Sequence, residues 1–142
     1  PTYHLCNDAI LSLCKPDALI INAARGGVID EQALIHHLQQ LPTTQTVIDC
    51  WENEPQINLQ LLQLSNLATF HIAGYSIAGK MRASEMCLEA FCKFFSLPIL
   101  SINKKVVPLH GDSASGWLKR ISDQLKAQPE HFEQLRKQYK LR

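Results

Sequence analysis

Ala18-Leu19-Ile20-Ile21-Asn22-Ala23-Ala24-Arg25-Gly26-Gly27-Val28-Ile29-Asp30 is the stretch on which the fold turns. Its first five residues form a short apolar run. Continuous hydrophobicity of this length suits a strand buried on both faces. Asp30 offers a cap to a helix running from Glu31 to about Gln40. Ala33, Leu34 and Leu38 fall on one face of that helix. A strand, a loop holding one cation and two glycines, and an amphipathic helix therefore follow in order. Working outward, Thr46-Val47-Ile48-Asp49 reads as a second strand and Leu67-Ala68-Thr69-Phe70 as a third. Strands separated by helical runs predict an α/β fold with a parallel sheet and crossover helices. Ligands gather at the carboxyl ends of such strands. Arg25, Glu54 and His71 each lie shortly beyond a strand end, so one edge of the sheet collects a cation, a carboxylate and an imidazole.

The flanks are helical. Asn7-Asp8 can cap a short helix through Leu13, and Pro16-Asp17 marks a turn. Ile77 to Phe95 reads as one long helix whose Met and aromatic residues suit a core or an interface. Pro98 closes that unit, and residues 99–111 read as a linker or a short extended piece. Two helices follow, Asp112 to Lys126 and Glu130 to Lys140, separated by Pro129. The division expected is 1–97 and 98–142. The second part is too small to fold alone and is expected to pack on another chain or on residues outside these 142.

The 142 residues suit one domain or one and a half, with net charge +1. The chain begins at Pro1 in what reads as the middle of a fold, so it is expected to be a segment of a longer protein. Residues 1–100 hold five Lys/Arg and nine Asp/Glu, whereas residues 101–142 hold nine and four. The basic residues of the tail alternate with acidic and apolar ones at helical spacing, which fits a solvated helix face or an oligomer contact. An RNA-binding motif, a Gly/Arg run and aromatic interleaving are all missing from the sequence, which argues against a nucleic-acid partner. The five cysteines, 6, 14, 50, 87 and 92, contain no C-x-x-C pair. Buried, reduced thiols in a cytoplasmic protein fit better than disulfides or zinc. His36 and His37 are adjacent, point about 100° apart on a helix, and do not readily share a metal. No metal site is expected. No run has the length of a membrane helix, and no signal-peptide pattern occurs.

Three motifs together resemble the D-isomer-specific 2-hydroxyacid dehydrogenases. They are Ile21-Asn22-Ala23-Ala24-Arg25-Gly26-Gly27-Val28-Ile29-Asp30, Ile48-Asp49-Cys50-Trp51-Glu52-Asn53-Glu54-Pro55, and Ala68-Thr69-Phe70-His71-Ile72-Ala73-Gly74-Tyr75. Their order and spacing match across roughly residues 1–95. Two positions depart from the family pattern: Phe70 stands where Pro is usual and Asn53 where Gly is common. The resemblance implies the carboxyl-terminal half of a Rossmann-type NAD-binding domain. It also implies reversible hydride transfer between a 2-hydroxy acid and NAD. A narrower likeness, to the branch serving pyridoxal phosphate synthesis, rests on three features. They are Pro1-Thr2-Tyr3-His4-Leu5, the run His71 to Lys80 with Tyr75, and the tail around Gln128-Pro129-Glu130-His131-Phe132 and Leu135-Arg136-Lys137-Gln138-Tyr139. That likeness implies a phosphorylated 2-hydroxy acid as substrate, a homodimer, and a tail that begins a dimerisation region. A phosphoglycerate or hydroxypyruvate type of dehydrogenase stays open. So does a non-catalytic NAD-sensing or dimerisation protein.

The residue types suit that chemistry. An unperturbed imidazole titrates near pH 6.5, so His71 is the candidate acid/base. Glu54, hydrogen-bonded to the other ring nitrogen, would orient it and favour the imidazolium. Arg25 offers a planar fork to the substrate carboxylate. Gly26 and Gly27 let backbone approach a ligand closely. The resemblance implies cofactor contacts at Ala23, Ala24, Arg25, Asp49 and Gly74, and a further substrate contact at Tyr75. For Asp49 a helix cap is the competing reading. His4, His36, His37, His110 and His131 read as surface or packing residues. No Gly-x-Gly-x-x-Gly occurs in the sequence. The pyrophosphate cradle is therefore expected upstream, and the chain alone is expected not to turn over.

Overall fold

The computed structural model describes residues 2–98 and 114–139. It divides into two compact units, Pro1–Ile72 with Asp112–Tyr139, and Ala73–Gly111 with Lys140–Arg142. The first unit is built on a three-stranded parallel sheet, β1 (Leu19–Asn22), β2 (Gln45–Ile48) and β3 (Leu67–Ala68), in that spatial order. Register pairs Asn22 with Ile48 and Ile48 with Ala68, so the carboxyl ends of all three strands are level.

Side-chain caps start its helices. Asn7 accepts from Ala9 and Ile10 N–H to begin α1 (Asp8–Leu11), and Asp30 accepts from Gln32 and Ala33 N–H to begin α2 (Glu31–Gln40). Asn58 does the same for α3 (Leu59–Leu64), a helix that sequence reading did not foresee. Its two apolar positions that reach the core, Leu61 and Leu62, are fully buried, while Leu59 is exposed. On α2 the expected face is buried: Ala33, Leu34 and Leu38 all join the core. His37 is buried as well, within 3.3 Å of Thr44 Oγ1, and is a packing residue.

β1 corrects one expectation. Leu19 and Ile21 are 57% and 59% exposed, so this strand is not buried on both faces. Alternate side chains of a strand point to opposite faces, and among the described residues only one face of β1 is covered. Continuous hydrophobicity reported the residues' preference, not the cover available to them.

The tail packs on this chain. α5 (Ala114–Ala127), a 3₁₀ turn at Pro129–His131 and α6 (Phe132–Gln138) send Ile121, Leu125, Phe132 and Leu135 into the core that holds Leu34, Ile48 and Leu61. Ser122 Oγ accepts from Ala68 N–H at 3.0 Å, and Lys126 Nζ donates to Ser65 O at 2.5 Å. The first compact unit therefore takes in the tail, because the apolar stripe of the tail finds its partner at β3. Asp112, Lys140 and the expected linker at 99–111 lie outside the described residues.

The second unit contains α4 (Ile77–Phe94), capped by Ser76, whose Oγ accepts from Gly79 N–H. Phe91, Phe94 and Phe95 cluster at its end with ring centroids 4.7 and 4.9 Å apart. Among the described residues no helix is long and apolar enough to cross a membrane, and no group of His, Cys, Asp and Glu is arranged to hold a metal. All five cysteines are free thiols. Cys50 and Cys92 are buried as expected, but Cys6 and Cys14 are half-buried and Cys87 is exposed. An apolar neighbour in sequence does not decide which side of a helix faces water.

Candidate active site

His71 stands three residues past β3, with its backbone in the left-handed region at φ 57. Such a conformation is uncommon for any residue but glycine and persists only where the surroundings hold it. Here Asp49 holds it. Asp49 O accepts from His71 N–H, and Asp49 Oδ1 accepts from Ile72 N–H at 2.8 Å and from Thr69 Oγ1 at 2.5 Å. Asp49 is 4% exposed and fixes the chain on both sides of the imidazole. It does not cap a helix.

Glu54 meets the ring. Its Oε2 lies 2.8 Å from His71 Nδ1, and its Oε1 accepts from Trp51 N–H at 2.8 Å. A carboxylate only accepts, so Nδ1 carries the proton and Nε2 is the nitrogen left to exchange one with a substrate. Both side chains are about a fifth exposed (24% for His71, 18% for Glu54), sheltered yet open to a small molecule. Trp51 anchors the loop that carries Glu54, donating from Nε1 to Thr69 O at 2.8 Å from a buried position. Asn53 within this loop has φ 63. Asn and Gly are the residues that tolerate this region best, so a departure from Gly to Asn leaves the loop geometry intact. The peptide between Glu54 and Pro55 is cis. Phe70, the other departure, is buried and meets Tyr139 edge-on at 6.2 Å.

Arg25 follows β1. Buried Asn22 organises this loop, donating from Nδ2 to Arg25 O at 3.1 Å and to Cys50 O at 3.2 Å, and accepting from Ala24 N–H. Ala23, Ala24 and Arg25 are exposed. The guanidinium donates to Ala24 O at 2.6 Å, and no carboxylate among the described residues pairs with it. Gly26 is a requirement: a Cβ there would lie 1.9 Å from Trp51 O and 2.4 Å from Glu52 N. The Arg25 loop and the Glu54 loop therefore touch backbone to backbone. Burial and then the Asp49 carboxylate push the Cys50 thiol up to about 12, so it stays protonated beside them.

Arg25, Asp49, Glu54 and His71 thus share one unit and one sheet edge. Gly74 and Tyr75 open the other unit. Gly74 has φ 76, which suits glycine, and Lys80 Nζ stands 4.0 Å above the Tyr75 ring. Sequence reading passed over Asn22, Thr69 and Glu31. Their signals, a polar residue ending an apolar strand and a carboxylate after a helix cap, recur in too many proteins to single them out.

Residues 1–73 match the family described as D-isomer specific 2-hydroxyacid dehydrogenase, NAD binding domain. The chain belongs to that family. Erythronate-4-phosphate dehydrogenase of Bacteroides fragilis is 41% identical over 99% of this chain and 43% of its own length. The enzyme of the same name from Coxiella burnetii is 48% identical over 68% of this chain and 25% of its own length. Among solved structures, the apo form of Rhodotorula graminis D-mandelate dehydrogenase superposes with TM-score 0.57 at 30% identity, covering 75% of this chain and 32% of that one. Aquifex aeolicus D-lactate dehydrogenase, complexed with NAD and lactic acid, gives TM-score 0.52 at 28% identity, over 67% and 34%. The chain spans less than half the length of these relatives. NAD is the family's cofactor. Small exposed Ala23 and Ala24 leave backbone accessible at the end of β1, beside the Arg25 cation. The sequence offers no glycine-rich cradle for the pyrophosphate.

Proposed function

We propose that this chain supplies the acid–base and carboxylate-binding half of an NAD-dependent D-2-hydroxyacid dehydrogenase. We propose 4-phospho-D-erythronate as its substrate and (R)-3-hydroxy-2-oxo-4-phosphobutanoate as its product, a step toward pyridoxal 5'-phosphate. The observation that carries the reading is the 2.8 Å contact from His71 Nδ1 to Glu54. NAD, when bound, would supply the acceptor for the hydride that leaves carbon 2 of the alcohol. His71 Nε2 takes the hydroxyl proton as that hydride leaves, and the resulting imidazolium is stabilised by Glu54. In the reverse direction the same nitrogen returns the proton. Arg25 receives the substrate carboxylate on its exposed fork and draws charge from the oxygen at carbon 2. Ala23, Ala24, Asp49 and Gly74 are assigned to the cofactor, and Tyr75 to the substrate, by their positions in the family's motifs. The homodimer belongs to the same proposal, with residues 98–142 as the start of its dimerisation region. The identity to relatives named for this substrate supports the narrow assignment. The exposed face of β1 and the missing glycine-rich loop support a cofactor domain completed by residues beyond these 142.

The test is NADH formation by the protein that carries this chain, offered 4-phosphoerythronate and 3-phosphoglycerate separately. Preference for the first is expected. Preference for the second would keep the roles of Arg25, Glu54 and His71 and discard the narrow substrate. The 142 residues alone are expected to give no NADH.

A further inference from the structure

A second histidine and carboxylate cluster lies beside the first. His4, read from sequence as a surface or packing residue, is half-buried and has φ 49. Its Nε2 lies 3.0 Å from Glu52 Oε1, and its Nδ1 lies 3.4 Å from Asp30 Oδ2. A neutral imidazole donates from one nitrogen only, whereas a doubly protonated ring donates to both carboxylates. Tyr3 stacks on His4 at 3.9 Å and donates from its hydroxyl to the same Glu52 oxygen at 2.8 Å. His4 is also tied by its backbone, donating N–H to Gly27 O at 2.8 Å.

The target of this cluster is the Trp51–Glu52 peptide. Glu52 is gripped by its side chain through His4 and Tyr3. It is gripped by its backbone through Glu31, whose buried Oε1 accepts Glu52 N–H at 2.8 Å. The same peptide abuts Gly26, next to Arg25, and lies two residues before Glu54. A shift of Glu52 therefore moves both the loop that presents the cation and the loop that aims the imidazole.

We propose that His4 is a positioning residue for the proposed dehydrogenase site: bridging Asp30 and Glu52, it sets the Trp51–Glu52 peptide and through it Glu54 and His71. This rests on the function proposed above. A purely structural His4 would affect stability and leave the His71–Glu54 contact unchanged. His4 instead joins the two loops at once: its N–H bonds Gly27 O in the segment that carries Arg25, and its ring meets Glu52 in the segment that carries Glu54.

The experiment uses the protein that carries this chain and the variants His4→Ala, His4→Asn and Glu52→Gln. Asn tolerates the left-handed backbone and still donates to Glu52, but it cannot span to Asp30. Two quantities are read: kcat and KM for the hydroxy acid, and the downfield NMR resonance of the His71 Nδ1 proton. In His4→Ala, kcat is expected to fall about 10-fold to 10²-fold, the scale of misplacing a reacting group. The His71 proton signal should broaden or move upfield. His4→Asn should recover part of both, and Glu52→Gln, which still accepts from Tyr3 and His4, should recover most. Wild-type kcat with an unchanged His71 signal in His4→Ala overturns the proposal. Should His4→Ala fail to fold, His4→Asn decides by the same signal: wild-type kcat with an unchanged His71 resonance in that variant overturns it. Wild-type protein that forms no NADH fails the function proposed above, and the His71 resonance then still decides the role of His4.

Discussion

His71 combines a left-handed backbone, a protonated Nδ1 facing Glu54 and an Nε2 free of that contact. Asn accepts the same backbone without an imidazole, so His71→Asn tests chemistry without adding strain. The expected result is kcat/KM lower by about 10²–10⁴ with an unchanged circular dichroism spectrum. Glu31 behaves differently. Burial raises its carboxyl to about 6 from 4.5, the Glu52 N–H opposes this, and the charges of Glu52 and Glu54 add to it. Between those two pH values the folded protein holds a proton that the unfolded chain has released. Its contribution to stability is therefore present below pH 4.5, is lost as pH rises to 6, and is constant above. Glu31→Gln keeps an acceptor for Glu52 N–H and removes the charge. Urea unfolding across this window should show the variant gaining on the wild type by at most about 2 kcal/mol. Asn53, Arg25 and His71 were each legible as residues in the sequence. The Glu31 and His4 contacts were not, because their partners lie 21 and 48 positions away along the chain.

At the scale of elements, caps and periodicity were readable because they are local. Asp30 begins α2 and Asn7 begins α1, each accepting backbone N–H groups within three residues. The helix α3 escaped because six residues give too short a period to separate it from a loop, although Asn58 caps it in the same way. β3 is shorter than its apolar run, and its outer edge is closed by a side chain rather than a strand: Ser122 accepts the buried Ala68 N–H. Ser122→Ala leaves that donor without its partner. A loss of about 1–3 kcal/mol is expected, read as a lower urea midpoint at unchanged m-value. A midpoint equal to that of the wild type would mean that water replaces the hydroxyl at this edge.

Across the whole molecule, Phe132 is 1% exposed and belongs to the same core as Leu34 and Leu61. Phe132→Ala should therefore cost about 3–5 kcal/mol in the unfolding of the sheet unit, followed by tryptophan fluorescence. A tail that only served an interface would leave that transition in place. Sequence by itself determined the three strands, the caps at Asn7 and Asp30, and the three motifs that put Arg25, Glu54 and His71 beyond strand ends, because these depend on neighbours within a few residues. It also carried the family resemblance, because the motif spacings follow from the strand–loop–helix order. Tertiary structure alone decided that α5 packs on β3 and that α6 joins the same core, that β1 shows Leu19 and Ile21 to solvent, and that Gly26 admits the Trp51–Glu52 backbone. It alone placed His4 between Asp30 and Glu52. These contacts join residues distant along the chain, and their geometry exists only once the sheet register has brought those segments together.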